Sequence, residues 1–122
     1  MRNRQQIRIL IIEDEPMIAL GLQDLLIASG FKVAGVAAKL AKALAMIELG
    51  ALDAAIVDAN LGGVSASPAG TALDAKGLPY LLLSGYSAKQ QAEAFPGAAL
   101  FMQKPFIPER LIKVLSEIVP SH

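Results

Sequence analysis

Asp58 closes a run of small and β-branched apolar residues, Ala54-Ala55-Ile56-Val57, and is followed by Ala59-Asn60-Leu61 and the pair Gly62-Gly63. Four apolar residues in a row without alternation describe a strand covered on both faces, the habit of a central parallel strand. A carboxylate at the end of such a strand has an apolar core behind it, where an unpaired charge is costly. Asp58 is therefore expected at the mouth of a site. Other polar residues close apolar runs in the same way: Asp14, flanked by Glu13 and Glu15, after residues 7–12; Ser84 after 79–83; and Lys104 shortly after 98–102. Acids gathered at one point repel one another unless a cation neutralises them. Magnesium is the natural candidate, since it takes hard oxygen ligands, usually one or two carboxylates with waters and a phosphate oxygen. No histidine or cysteine cluster competes for a softer metal, because cysteine is absent and the single histidine is the last residue, His122. A carboxylate held against a divalent ion, with a lysine and a hydroxyl opposite, is equipped for phosphoryl transfer. Asp58 is the expected nucleophile, forming an aspartyl phosphate, with Lys104 and Ser84 holding the remaining phosphoryl oxygens.

Such convergence needs elements to produce it. The apolar run 7–12 predicts a first strand. Pro16 then suits a first helical turn, and Met17, Ile18, Leu20, Leu22, Leu25, Leu26 and Ile27 recur at helical spacing until Ser29-Gly30. Residues 31–36 predict a second strand, 40–49 an alanine-rich helix closed by Gly50, and 54–58 the central strand. The stretch 61–70 is loop by composition, with Gly62-Gly63 read as a mobile pair, and 71–76 supplies only a short helix. A fourth strand at 79–85, a weak helix at 87–95, a fifth strand at 98–102 and an amphipathic helix at 107–119 complete the chain. Five alternations of strand and helix argue for an α/β sandwich of three layers around a parallel sheet with right-handed crossovers. In such a sheet, ligands bind beyond the carboxyl ends of the strands. Asp14, Asp58, Ser84 and Lys104 all follow strands at that end.

Composition removes other classes. At 122 residues the chain fits one domain, 1–122, able to bury its own core, and no linker or repeat divides it. The lack of cysteine excludes disulfide scaffolds, thiolate metal sites and cysteine nucleophiles, and makes a reducing cytoplasm the default location. Eleven basic and eleven acidic residues give a net charge of zero, so no global field favours nucleic acid or an anionic membrane. No apolar run approaches the roughly 18 residues of a membrane helix.

With the residues in place, a family resemblance appears. Ile11-Ile12-Glu13-Asp14-Glu15, Val57-Asp58-Ala59-Asn60, Ser84-Gly85 and Lys104-Pro105-Phe106 resemble, at matching spacing and over essentially the whole chain, the receiver domain of two-component response regulators. The resemblance implies a five-stranded flavodoxin-like sheet in order 2-1-3-4-5, and phosphorylation of Asp58 by a histidine kinase or histidine phosphotransfer protein. It also implies Mg2+ held by Glu13, Asp14, Asp58 and the backbone carbonyl of Asn60. Ser84 matches the switch hydroxyl and Phe101 the switch aromatic, with Tyr86 as the other aromatic candidate, and the Lys104-Pro105 bond would be cis. Leu61-Gly62-Gly63 together with Pro79-Tyr80-Leu81-Leu82-Leu83-Ser84-Gly85-Tyr86 is similar to the stand-alone receivers of the FAT GUY group, from which Leu82-Leu83-Ser84 and Phe101 depart. In that case the chain has no output domain and is not an enzyme in the ordinary sense. It would accept a phosphoryl group, lose it again, and signal through a changed protein-binding face formed by the helix at 87–95, the strand at 98–102 and the helix at 107–119.

Two other classes compete with this expectation. A receiver-shaped adaptor working without phosphorylation needs none of the acids, yet every chemical position is filled. A hydrolase using an aspartyl intermediate needs a second aspartate two residues after the first, where Asn60 stands. Nicotinamide enzymes fail because Glu13-Asp14-Glu15-Pro16 occupies the turn where a glycine fingerprint belongs.

Overall fold

The structure, a computed structural model, describes residues 7–85 and 93–119. In chain order the elements are β1 (Arg8–Ile12), α1 (Pro16–Ala28), β2 (Lys32–Ala37), α2 (Leu40–Leu49), β3 (Ala54–Asp58), β4 (Asn60–Leu61), β5 (Val64–Ser65), α3 (Ser67–Ala75), β6 (Tyr80–Ser84), β7 (Leu100–Gln103) and α4 (Pro108–Ile118). Five strands form one parallel sheet in the order β2-β1-β3-β6-β7. Counted along the sheet's own strands, this is the expected 2-1-3-4-5.

The sheet is apolar on both faces. Ile9 and Ile11 of β1, Ile56 of β3, and Leu81 and Leu83 of β6 pack against Leu22 and Leu26 of α1 and Leu111 and Leu115 of α4. On the other face, Leu10, Ile12, Val57, Tyr80 and Leu82 pack against Ala43 and Ile47 of α2 and Leu73 of α3. Each fully buried Leu or Ile contributes about 2 kcal/mol of transfer free energy. Unbroken burial on both faces is what lets β3 and β6 read as continuous apolar runs.

Helix starts follow proline. Pro16, Pro68 and Pro108 each lie in a first turn, where the missing N–H would have had no intrahelical partner. The helix α2 has the bounds expected from the sequence, and Gly50 ends it with φ 79°.

Two expectations fail around residues 60–70. The stretch read as loop holds an antiparallel hairpin, with Asn60 paired to Ser65 and Leu61 to Val64. Gly62 and Gly63, read as mobile, form its turn with φ 61° and 93°, the two positive values that a type I′ hairpin requires. The helix α3 also begins at Ser67 rather than 71, because Ser65 Oγ accepts the Ser67 N–H at 3.1 Å and Pro68 presets the next φ. The helix expected at 87–95 lies mostly outside the described residues, and Glu93-Ala94 form a turn. Among the described residues no helix is long and apolar enough to cross a membrane.

Candidate acidic phosphoacceptor site

Backbone bonds at the carboxyl edge of the sheet hold the chemical residues in position. The Glu13 N–H donates to Ala37 O at 3.0 Å, so the first acid stands one residue beyond a strand still zipped to its neighbour. Asp58 is the last residue of β3 and pairs with Leu83, and the Ala59 N–H continues the ladder to Leu83 O at 2.9 Å. Ser84 follows one residue beyond that pair on the adjacent strand, buried. The Lys104 N–H donates to Ser84 O at 2.8 Å, just before the Lys104-Pro105 peptide, which is cis as the resemblance implies.

Side chains from three strand ends then meet. Oxygens of Glu13, Asp14 and Asp58 all lie within 4.8 Å of one another. Lys104 Nζ stands 3.0 Å from Glu13 Oε1 and 3.2 Å from Asp58 Oδ2. Glu13 is only 1% exposed and Asp58 6%, so both are removed from water, while Asp14 is half-buried. Backbone amides contribute as well: Glu15 N–H donates to Glu13 Oε2 at 3.2 Å and Asn60 N–H to Asp58 Oδ1 at 3.4 Å.

Among the described residues three carboxylates face one ammonium, an imbalance of two negative charges when all are ionised. Burial pushes the Glu13 carboxyl up from 4.5 to about 7, and the hydrogen bond and charge of Asp58 add to the rise, against the opposing pull of Lys104 and the Glu15 amide. Burial pulls the Lys104 ammonium down, but its bonds to Glu13 and Asp58 outweigh that, so it stays above its usual value. A divalent cation fits this donor set, since it supplies the two missing positive charges to hard oxygens and its ligands need no softer atom.

Of the residues expected from sequence, the structure brings Glu13, Asp14, Asp58 and Lys104 together, and Ser84 ends the adjacent strand one residue past the Leu83 that pairs with Asp58. Asn60 is exposed, and its side-chain oxygen accepts the Gly63 N–H at 2.6 Å, so that side chain is committed to the hairpin. Phe101 is half-buried on β7, paired with Leu82 and packed on the core face shared with α2 and α3. Tyr86 and His122 lie outside the described residues. Sequence reasoning missed that Lys104 is tied to Glu13 as closely as to Asp58. It also missed that the hairpin tip lies against Asp14, where a Cβ placed on Gly62 would come 3.4 Å from Oδ2. The Gly-Gly pair between short apolar stretches was the available signal for the hairpin. An apolar groove of about 540 Å3 opens next to the site, lined by Ile18, Gly21 and Leu25 of α1 and by Lys104, Pro105, Phe106 and Pro108.

Comparison with known proteins agrees with this arrangement. The chain is similar to a response regulator receiver protein from Sinorhizobium medicae, with 25% identity, a TM-score of 0.82, and coverage of 95% of this chain and 96% of that one. SdrG from Sphingomonas melonis is 33% identical over 92% of this chain and 95% of its own, with a TM-score of 0.75. The receiver domain of the PhyR response regulator from Erythrobacter litoralis is 26% identical, with a TM-score of 0.81 and coverage of 93% and 89%. No curated protein matches. The sequence profile of the response regulator receiver domain matches residues 9–116, and the chain belongs to that family.

Proposed function

We propose that this protein is a response regulator whose receiver domain accepts a phosphoryl group on Asp58 from a histidine kinase or histidine phosphotransfer protein in the cytoplasm. The observation that carries the reading is the cluster itself: three acids from two strand ends within 4.8 Å, two of them, Glu13 and Asp58, bridged by one lysine from a third. An adaptor working without phosphorylation gives no account of burying such charges. The site fits Mg2+ held by Glu13, Asp14, Asp58 and the Asn60 carbonyl. When bound, the ion would neutralise carboxylate and phosphoryl oxygens together. An Asp58 carboxylate oxygen attacks phosphorus, the bond from phosphorus to the donor nitrogen breaks, and the proton needed by the leaving imidazole comes from the donor or solvent. Lys104 then exchanges part of its contact with Asp58 for a phosphoryl oxygen, and the Ser84 hydroxyl donates to another. The apolar groove beside Lys104 is the surface on which the donor protein seats.

The Ser84 movement and repacking of Phe101 or Tyr86 convey the signal to the face that includes β7 and α4. The chemistry is stoichiometric acceptance and loss of a phosphoryl group, not turnover of a separate substrate. The Gly62-Gly63 hairpin and the Ser84-Gly85-Tyr86 stretch support assignment to the FAT GUY group.

The test is incubation with acetyl phosphate and Mg2+, followed by intact-mass measurement. The parent gains one phosphoryl group, and neither Asp58→Asn nor parent without a divalent ion gains any. Equal labelling of parent and Asp58→Asn refutes the assignment.

A further inference from the structure

We propose that the β4–β5 hairpin is a positioning wall of the cation site and that Gly62 is the residue through which it acts, on the carboxylate of Asp14. The inference rests on the metal-dependent reading above and adds a residue to it. The hairpin is held at its base and across its turn. Ala59 donates its N–H to Leu83 O at 2.9 Å and accepts the Ala66 N–H through its own carbonyl at 2.9 Å. Asn60 Oδ1 clamps the Gly63 N–H at 2.6 Å, and Leu61 is buried beneath the turn. These bonds tie the tip to the sheet edge, so its backbone limits where neighbouring groups can go.

Asp14 is the neighbour that matters. Lys104 pairs with Glu13 and Asp58, whereas Asp14 forms no ion pair among the described residues and is half-buried, which leaves it the acid most open to an incoming cation. Gly62 lies directly against it: a Cβ there would meet Asp14 Oδ2 at 3.4 Å, and a Cβ on Gly63 would meet nothing within 4 Å. A methyl group at 62 would stand in van der Waals contact with that oxygen and narrow the room in which the carboxylate turns toward the ion. The bare backbone at 62 leaves that room open.

The two glycines supply their own control. Both have positive φ, so alanine is strained at either position, but only at 62 does it touch the acid. Mg2+ is titrated calorimetrically into parent, Gly62→Ala and Gly63→Ala, and the melting temperature of each is recorded without the ion. The expected result is Mg2+ binding about ten-fold weaker in Gly62→Ala and within about two-fold of parent in Gly63→Ala, with melting temperatures lowered in both. Equal weakening in the two variants assigns the effect to hairpin strain and overturns the proposal. So does unchanged binding in Gly62→Ala, or a larger loss in Gly63→Ala. Should Gly62→Ala not fold, Gly62→Asn and Gly63→Asn repeat the comparison, because asparagine tolerates left-handed backbone; the proposal then requires that only the change at 62 alter the affinity. A parent that binds no Mg2+ at all defeats the metal reading first, and this inference with it.

Discussion

β3 carries an aspartate at each end, Asp53 just before it and Asp58 as its last residue, and the two sit in opposite environments. At the amino end, Asp53 Oδ2 accepts the Arg8 N–H at 2.8 Å, and the Asp53 N–H donates to Arg8 O at 2.8 Å. That reciprocal clamp starts the pairing of β1 with β3 and is complete as it stands. At the carboxyl end, among the described residues, Asp58 faces two further acids and a single ammonium, a set that repels itself without more positive charge. The same type of side chain is a structural fastener at one end and, on the reading proposed above, the phosphoacceptor at the other. What separates them is whether the fold satisfies the charge locally or leaves it wanting a ligand.

The largest test of this contrast is chemical. Lys104→Ala should slow labelling by acetyl phosphate about a hundred-fold, the usual cost of removing one preorganised charge donor, and leave the circular dichroism spectrum native. Asp53→Asn should leave the labelling rate essentially unchanged, as followed by mass spectrometry. Next comes stability, in which the two ends should respond with opposite sign. Asp53→Ala strands the Arg8 amide and should cost about 1–3 kcal/mol in urea denaturation. Asp58→Asn removes one of three like charges and should raise stability by about 1 kcal/mol.

A third test uses pH. The Glu13 carboxyl is higher in the folded protein, about 7, than its ordinary 4.5, so the folded state holds the proton more tightly. That contribution to stability is fully present below about pH 4.5 and is lost as pH rises through about 7. Without divalent ions the melting temperature should therefore fall across this window, and Glu13→Gln should flatten that part of the profile. The smallest effect concerns the amino end of β6. Among the described residues the fully buried Tyr80 hydroxyl has no hydrogen-bond partner; it is pressed on Gly70, and burial pushes its pKa to about 12. Tyr80→Phe removes a desolvated hydroxyl and should leave thermal stability unchanged or raised by up to about 1 kcal/mol.

The order of the sheet and the residues at its carboxyl edge were legible because strands buried on both faces leave unbroken apolar runs, and a polar residue ending such a run is conspicuous. Asp58 after Ala54–Val57 and Ser84 after Leu81–Leu83 are of this kind. The bounds of α2 were legible for a similar reason, since Gly50 breaks an uninterrupted helical composition. The hairpin at Asn60–Ser65 was not, because its strands are two residues each, too short for any period, and its glycines speak as readily for a loose loop. The extended start of α3 was hidden by Ser65, Ser67 and Pro68, which serve loops and helix starts alike. Glu13 as the partner of Lys104 depends on a contact across 91 positions that local pattern does not encode. The orphan hydroxyl of Tyr80 is likewise a product of packing, set by how closely α3 approaches at Gly70.

The central claim is that residues from separate strand ends form one cation-dependent phosphoryl site. The most direct measurement follows backbone amide NMR shifts as Mg2+ and then beryllofluoride are added to the uniformly labelled protein. The account predicts perturbation around Glu13–Glu15, Asp58–Gly63, Ser84 and Lys104, with the amides of Arg8 and Asp53 at the far end of the sheet unmoved. Shifts centred on Arg8 and Asp53, or none near Asp58 and Lys104, would contradict it.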